Sequence, residues 1–166
     1  MKPLDEWRED AQYFDCAGHR IANWTRATSE SKQWLLLIHG FPTSSWDWTA
    51  LWDDLAHDFN LAALDMLGFG LSDKPADIRY SILDQADLQE ALLERLGVSE
   101  AHLFVHDYGN TVGQELLARA QDGALSFKIN SVVFLNGGLF PEQHRARPIQ
   151  KLGLSPGSAA ICLAPC

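Results

Sequence analysis

The chain has 166 residues, 46% of them apolar and 21% charged, a globular balance with room for one domain and a sizeable core. Its formal charge of −9, with no local run of Lys or Arg, argues against a nucleic-acid or anionic-lipid partner. The three cysteines, Cys16, Cys162 and Cys166, are too few for a disulfide framework and lack partners at zinc-ligand spacing, so no metal and a reduced, cytoplasmic setting are expected.

Met1 to Asp10 is charged and has no apolar core, so no signal peptide is expected. Tyr13–Cys16 and Arg20–Thr25 read as a hairpin turning at Ala17, Gly18 and His19. Gln33 to Ile38 is a buried-strand length, far short of a membrane span, and it runs into His39-Gly40-Phe41-Pro42.

From Ser44 the period changes. Trp48, Leu51, Trp52, Leu55 and Phe59 mark one face of a helix, with Ser44 and Asp47 in capping-box positions. Leu61–Leu64 is the next strand, ending in the glycine-punctuated segment Asp65 to Gly70. Ser81 and Asp84 open a second helix with Ile82, Leu83, Ala86, Leu92, Leu93 and Leu96 facing one way, and Gly97 stops it. Ala101–Val105 is a strand that breaks at His106-Asp107-Tyr108-Gly109 into a third helix, striped by Val112, Leu116, Leu117 and Ala120. Ile129–Leu135 is the last strand, closed by Gly137-Gly138.

Apolar strands alternating with amphipathic helices predict an α/β fold, with a mostly parallel sheet covered on both faces. Residues 1–150 are expected to be the N-terminal part of its core domain, and residues 151–166 read as an irregular tail. After Lys151 no charged side chain remains, and two prolines and two glycines interrupt any period.

In parallel sheets ligands bind beyond the carboxyl ends of the strands, where the His39, Asp65 and His106 loops are expected. Val105-His106-Asp107-Tyr108-Gly109 has the pattern of a nucleophile elbow, a sharp strand-to-helix turn that lifts one side chain above the sheet, with Asp107 in the place of the usual serine. Gly109 and Gly113 supply the small residues such a turn needs.

The HGFP, DMLGFGLSDKP and HDYG segments together resemble the α/β-hydrolases that include haloalkane dehalogenases and epoxide hydrolases. Tyr108 and the stretch Asn136 to Glu142 resemble the mesoderm-specific-transcript-like group within them. The likeness covers about residues 10 to 152. It implies that Asp107 attacks a small apolar molecule (an epoxide, an alkyl halide or a related substrate) to form a covalent ester, without any cofactor. A carboxylate is already ionised at neutral pH and needs no base for this step. Backbone N–H groups of Phe41 and Tyr108 would hold the oxyanion when water cleaves the ester.

The family's base is a histidine in a late loop, beyond a helical cap. None of His19, His39, His57, His102, His106 or His144 holds the matching position, so the chain is expected to stop before the cap and last strands and to be inactive in turnover. Asn136 stands where some dehalogenases carry the relay acid. Dehalogenases hold halide with an indole N–H after the nucleophile; Tyr108 and Phe41 lack one, and HGFP leans towards epoxide hydrolases. A non-catalytic truncated or binding form and an esterase-type hydrolase are the alternatives.

The blander readings are structural. His39 is a hydrogen-bonded structural histidine, Gly40 and Pro42 shape the turn, Asp65 orients its own loop, Ser72 is a turn residue, and the tryptophans are core. His106, on a strand end, points away from Asp107.

Overall fold

Residues 1–137 are those described by the computed structural model of the protein. The elements in chain order are α1 (Leu4–Glu9), β1 (Gln12–Cys16), β2 (His19–Arg26), β3 (Trp34–Ile38), a 3-10 helix (Ser45–Ala50), α2 (Trp52–Leu55), β4 (Asn60–Leu64), α3 (Ile82–Arg95), β5 (Glu100–His106), α4 (Tyr108–Gln121) and β6 (Lys128–Leu135). The proposed tail, Gly138, His144, Cys162 and Cys166 lie outside the described residues.

The six strands form one sheet in the order β1-β2-β4-β3-β5-β6. The first two pairings, β1 with β2 and β2 with β4, are antiparallel; β4, β3, β5 and β6 run parallel. The hairpin forms as expected, except that His19 opens β2, paired with Cys16, and is not part of the turn. Ala17 and Gly18 both take positive φ, +52° and +82°, the two-residue turn whose twist matches the flanking strands.

Side-chain alternation along the strands supplies both faces of the sheet. Leu36, Ile38, Ala62, Leu64, Leu103 and Val105 pack beneath α3 and α4, meeting Ala86, Leu92, Leu93, Val112 and Leu116. Leu35, Leu37, Leu61 and Ala63 face the other way into Trp7, Trp24, Trp48 and Trp52. Each fully buried aliphatic side chain contributes about 1.5–3 kcal/mol. Trp7, Trp24, Trp48 and Trp52 are core, while Trp34 and Trp46 are partly buried at its margin. Trp7 stacks on Trp24 at 4.8 Å and meets Trp52 edge-on at 5.0 Å. Their indole N–H groups donate to Ser45 Oγ (from Trp7, 3.3 Å) and to the Trp7 carbonyl (from Trp24, 2.7 Å).

Several details differ from the sequence reading. The segment after Ser44 is not one helix but a 3-10 turn followed by a four-residue α2. Ser44 Oγ accepts from the Trp46 N–H, not from Asp47 as in a capping box. The reason is tertiary: Asp65 takes both the N–H and the hydroxyl of Ser45, at 2.8 and 2.6 Å, which fixes the first turn from outside. In α3 the cap is as expected, Ser81 Oγ accepting from the Asp84 N–H at 3.1 Å, and Gly97 ends it with φ +67°. Its inward face, however, carries Gln85, Leu88 and Gln89, while Leu83 is 54% exposed. In α4, Ala120 is exposed and Asn110 is buried. The short helix α1 had no counterpart in the sequence reading.

Candidate active site

Strands β4, β3 and β5 are adjacent and parallel, so the loops that follow them share one rim of the sheet. The turn after β5 is the sharpest. Asp107 has φ 49° and ψ −112°, a conformation that L-residues rarely adopt. Its backbone is pinned on both sides: the Asp107 N–H donates to the Leu135 carbonyl at 3.0 Å, and the Asn110 N–H donates to the Asp107 carbonyl at 3.0 Å. Gly109 is required by close approach. A Cβ there would stand 2.5 Å from the Ile38 carbonyl oxygen and 2.6 Å from that of His39.

The carboxylate faces the β3 loop. Asp107 Oδ1 accepts from the Phe41 N–H at 3.0 Å and from the Tyr108 N–H at 2.6 Å. Oδ2 makes no hydrogen bond among the described residues. Thus the two amides that the family likeness names as oxyanion donors converge on one atom of Asp107. Pro42 follows Phe41 through a cis peptide bond.

The remaining motif residues brace this arrangement. His39 is fully buried; its Nδ1–H donates to the Gly40 carbonyl at 2.9 Å, and Nε2 accepts from the Met66 N–H at 3.0 Å. Burial holds its imidazole below the ordinary pKa, so it is neutral, with both ring nitrogens occupied. Asp65, 1% exposed, binds Ser45 through Oδ1 and the Leu71 N–H through Oδ2 at 2.6 Å, tying its own loop to the one before it. Ser72 donates to the Asp65 carbonyl and accepts from the Ala22 N–H, a bracing role. His106 lies beside Trp48, ring centroids 6.4 Å apart, on the sheet face opposite Val105. Asn136 follows β6 with φ +52°.

Three contributors were not singled out from the sequence. Buried Gln85 grips Leu67 twice, accepting its N–H at 3.0 Å and donating to its carbonyl at 2.9 Å. Buried Asn110 donates to the Leu135 carbonyl at 3.2 Å, the oxygen that also receives the Asp107 amide. Phe69 sets its ring edge-on to Phe41 at 6.3 Å and tilted against Tyr108 at 5.9 Å. The only signals were a polar residue on an apolar helix face, for Gln85 and Asn110, and a large apolar residue between glycines, for Phe69.

A recess of about 640 Å³, lined by Lys2, Trp7, Trp24, Arg26, Trp52 and Asp53 among others, contains none of these loop residues. Two of its ion pairs are Lys2 with Asp10 and Arg26 with Asp53. Among the described residues there is no cluster of three metal-ligating side chains and no helix long and apolar enough to cross a membrane.

The profile of the alpha/beta hydrolase fold matches residues 33–152. The chain belongs to the α/β-hydrolase family. Mesoderm-specific transcript homolog protein of Bos taurus is 44% identical over 154 residues, covering 90% of this chain and 46% of the relative. The putative hydrolase LipZ of Mycobacterium tuberculosis is 38% identical over 151 residues, 91% of this chain and 51% of its own. Shorter likenesses join this α/β-hydrolase to epoxide hydrolase 3 of Xenopus tropicalis (37% over 91 residues; 53% and 24% of the two chains) and to a haloalkane dehalogenase of Mycolicibacterium paratuberculosis (34% over 116 residues; 69% and 37%). An α/β hydrolase fold protein from Burkholderia ambifaria superposes with a TM-score of 0.70 at 29% identity, over 93% of this chain and 56% of that one. The chain spans about half the length of the relatives it matches.

Proposed function

We propose that this α/β-hydrolase chain carries the nucleophilic half of an ester-forming hydrolase, with Asp107 as the group that attacks an uncharged apolar epoxide or alkyl halide. The observation that carries the reading is the asymmetry of the carboxylate: Oδ1 is held by two amide N–H groups and Oδ2 is unpaired among the described residues. In this reading an Oδ2 lone pair forms the bond to the substrate carbon while the carbon–oxygen bond of the epoxide, or the carbon–halogen bond, breaks. The leaving oxygen takes up a proton from water, or halide departs. Hydrolysis of the ester then needs water deprotonated by a base and directed at Cγ. The negative charge that develops on Oδ1 meets the Phe41 and Tyr108 donors already in place, and the dipole of α4 adds favourable potential at its N-terminus.

Among the described residues His39 uses both ring nitrogens and His106 packs its ring against Trp48, so neither is read as that base. The step that the described residues support is therefore the alkylation of Asp107; a cytoplasmic setting is part of the same reading. The side chains of Phe41 and Tyr108 offer no N–H to a departing halide, which favours an epoxide. An esterase-type reaction would use the same oxyanion donors.

The test is to expose the chain to a small epoxide and to a bromoalkane and read intact mass and peptide maps. One adduct on Asp107 is expected, absent from Asp107→Asn. An adduct elsewhere, or none, overturns the assignment of the nucleophile.

A further inference from the structure

The loop between Asp65 and Ser72 is held far more firmly than a connection needs. Gln85 grips Leu67 by both its N–H and its carbonyl, Asp65 holds the Leu71 N–H, and His39 accepts from Met66. Gly68 and Gly70 take φ +92° and +46°, and a Cβ on Gly70 would run into the Asp65 carboxylate. Phe69 sits at the apex, its own N–H donating to the Met66 carbonyl at 2.9 Å and its carbonyl accepting from Ser72 at 3.1 Å. The loop thereby fixes one aromatic ring at the apex of a glycine-flanked turn.

That ring touches the side chains of the two residues whose amides hold Asp107. Phe41 stands edge-on to it at 89°, Tyr108 is tilted by 34°, and His39 lies edge-on from below at 5.3 Å. Phe41, Phe69 and Tyr108 are each half-buried, as is Asp107. Aromatic rings attract one another edge-to-face beyond the area they bury, a gain that a saturated ring of similar size does not share.

We propose that Phe69, with Phe41 and Tyr108, forms a receptor for an aryl group on the substrate, beside the Asp107 carboxylate. Phe69 is then a specificity-determining residue. It is already fixed in place, so binding costs little ordering of the protein. The proposal rests on Asp107 as the reacting group only for its purpose; aryl binding itself is measured without chemistry.

The experiment titrates the 166-residue chain with two unreactive probes, 2-phenylacetamide and 2-cyclohexylacetamide, and follows amide and aromatic NMR shifts. The phenyl probe is expected to bind about threefold to tenfold more tightly and to shift Phe41, Phe69 and Tyr108 together. Phe69→Leu, which keeps an apolar side chain, is expected to abolish the preference. Equal affinities in the wild-type chain, shifts confined to other regions, or a preference that survives Phe69→Leu overturns the proposal. The wild-type shift map stands even if the variant folds poorly. Aryl preference without alkylation of Asp107 would sink the nucleophile assignment alone; alkylation without aryl preference would sink the receptor alone.

Discussion

Gly40 and Asp107 are packed so closely that a Cβ on Gly40 would lie 2.6 Å from the Cβ of Asp107. The same added atom would meet His106 Nδ1 at 3.0 Å. Neither neighbour can yield easily, because Asp107 is held by its backbone and His106 is the last residue of β5. Gly40→Ala is expected to destabilise the chain by about 1–3 kcal/mol and to slow alkylation of Asp107 at least about tenfold. Thermal melts and adduct formation over time check the two effects; an unchanged rate would mean that the carboxylate is not positioned by this contact.

The backbone at Asp107 makes a second expectation. In an ordinary loop Ala is as stable as Gly or more so, since it loses less chain entropy on folding. At φ 49°, ψ −112° the order reverses. Asp107→Gly is expected to be more stable than Asp107→Ala by about 1–3 kcal/mol, because both lose the carboxylate and only Ala keeps the strain. Equal urea midpoints for the two variants would remove the strained elbow.

Asp65 accepts three hydrogen bonds in a buried position, from the Ser45 N–H, the Ser45 hydroxyl and the Leu71 N–H. An amide in its place turns a donor towards donors. Asp65→Asn is therefore expected to cost about 3–5 kcal/mol, close to Asp65→Ala despite its near-identical shape. A loss under about 1 kcal/mol in chemical denaturation would contradict the geometry.

His39 gives a pH dependence. Burial depresses its folded-state pKa below the ordinary value of 6.5, opposed by the nearby Asp65 and Asp47 and reinforced by His106. The unfolded chain thus binds a proton that the folded one refuses. Its contribution to stability is present above about pH 6.5 and is lost as pH falls below it. The chain is expected to lose stability on acidification from pH 7 to 5, and His39→Gln to flatten that slope. Parallel slopes for the two would assign the acid sensitivity elsewhere.

How much was legible depends on how local the cause is. The elbow could be read because an apolar run ending at Val105, a break at His106-Asp107 and glycines at 109 and 113 lie within nine residues. The hairpin and the α3 cap were legible for the same reason. The segment after Ser44 was misread because its turn is set by Asp65, twenty residues on, while the Trp and Leu spacing satisfies a helix equally well. Gln85 and Asn110 escaped notice because a polar residue on a helix reads as solvated until its buried partner, Leu67 or Leu135, is known. Leu83 errs the other way: it continues the apolar stripe yet faces solvent. The convergence of the Phe41 and Tyr108 amides on Asp107 was anticipated only through family likeness, since no spacing states which loops meet.

The bracing of the rim by buried polar atoms has a consequence for how the site can change. Asp65, His39, Gln85 and Ser72 each serve two or more partners, so altering one leaves several others stranded. The aromatic tips of Phe41, Phe69 and Tyr108 carry no such obligations through their rings. Selection acting on this chain would find a rigid chassis with exchangeable tips, where new preferences for molecules arise by trading one ring for another and the carboxylate stays where it is.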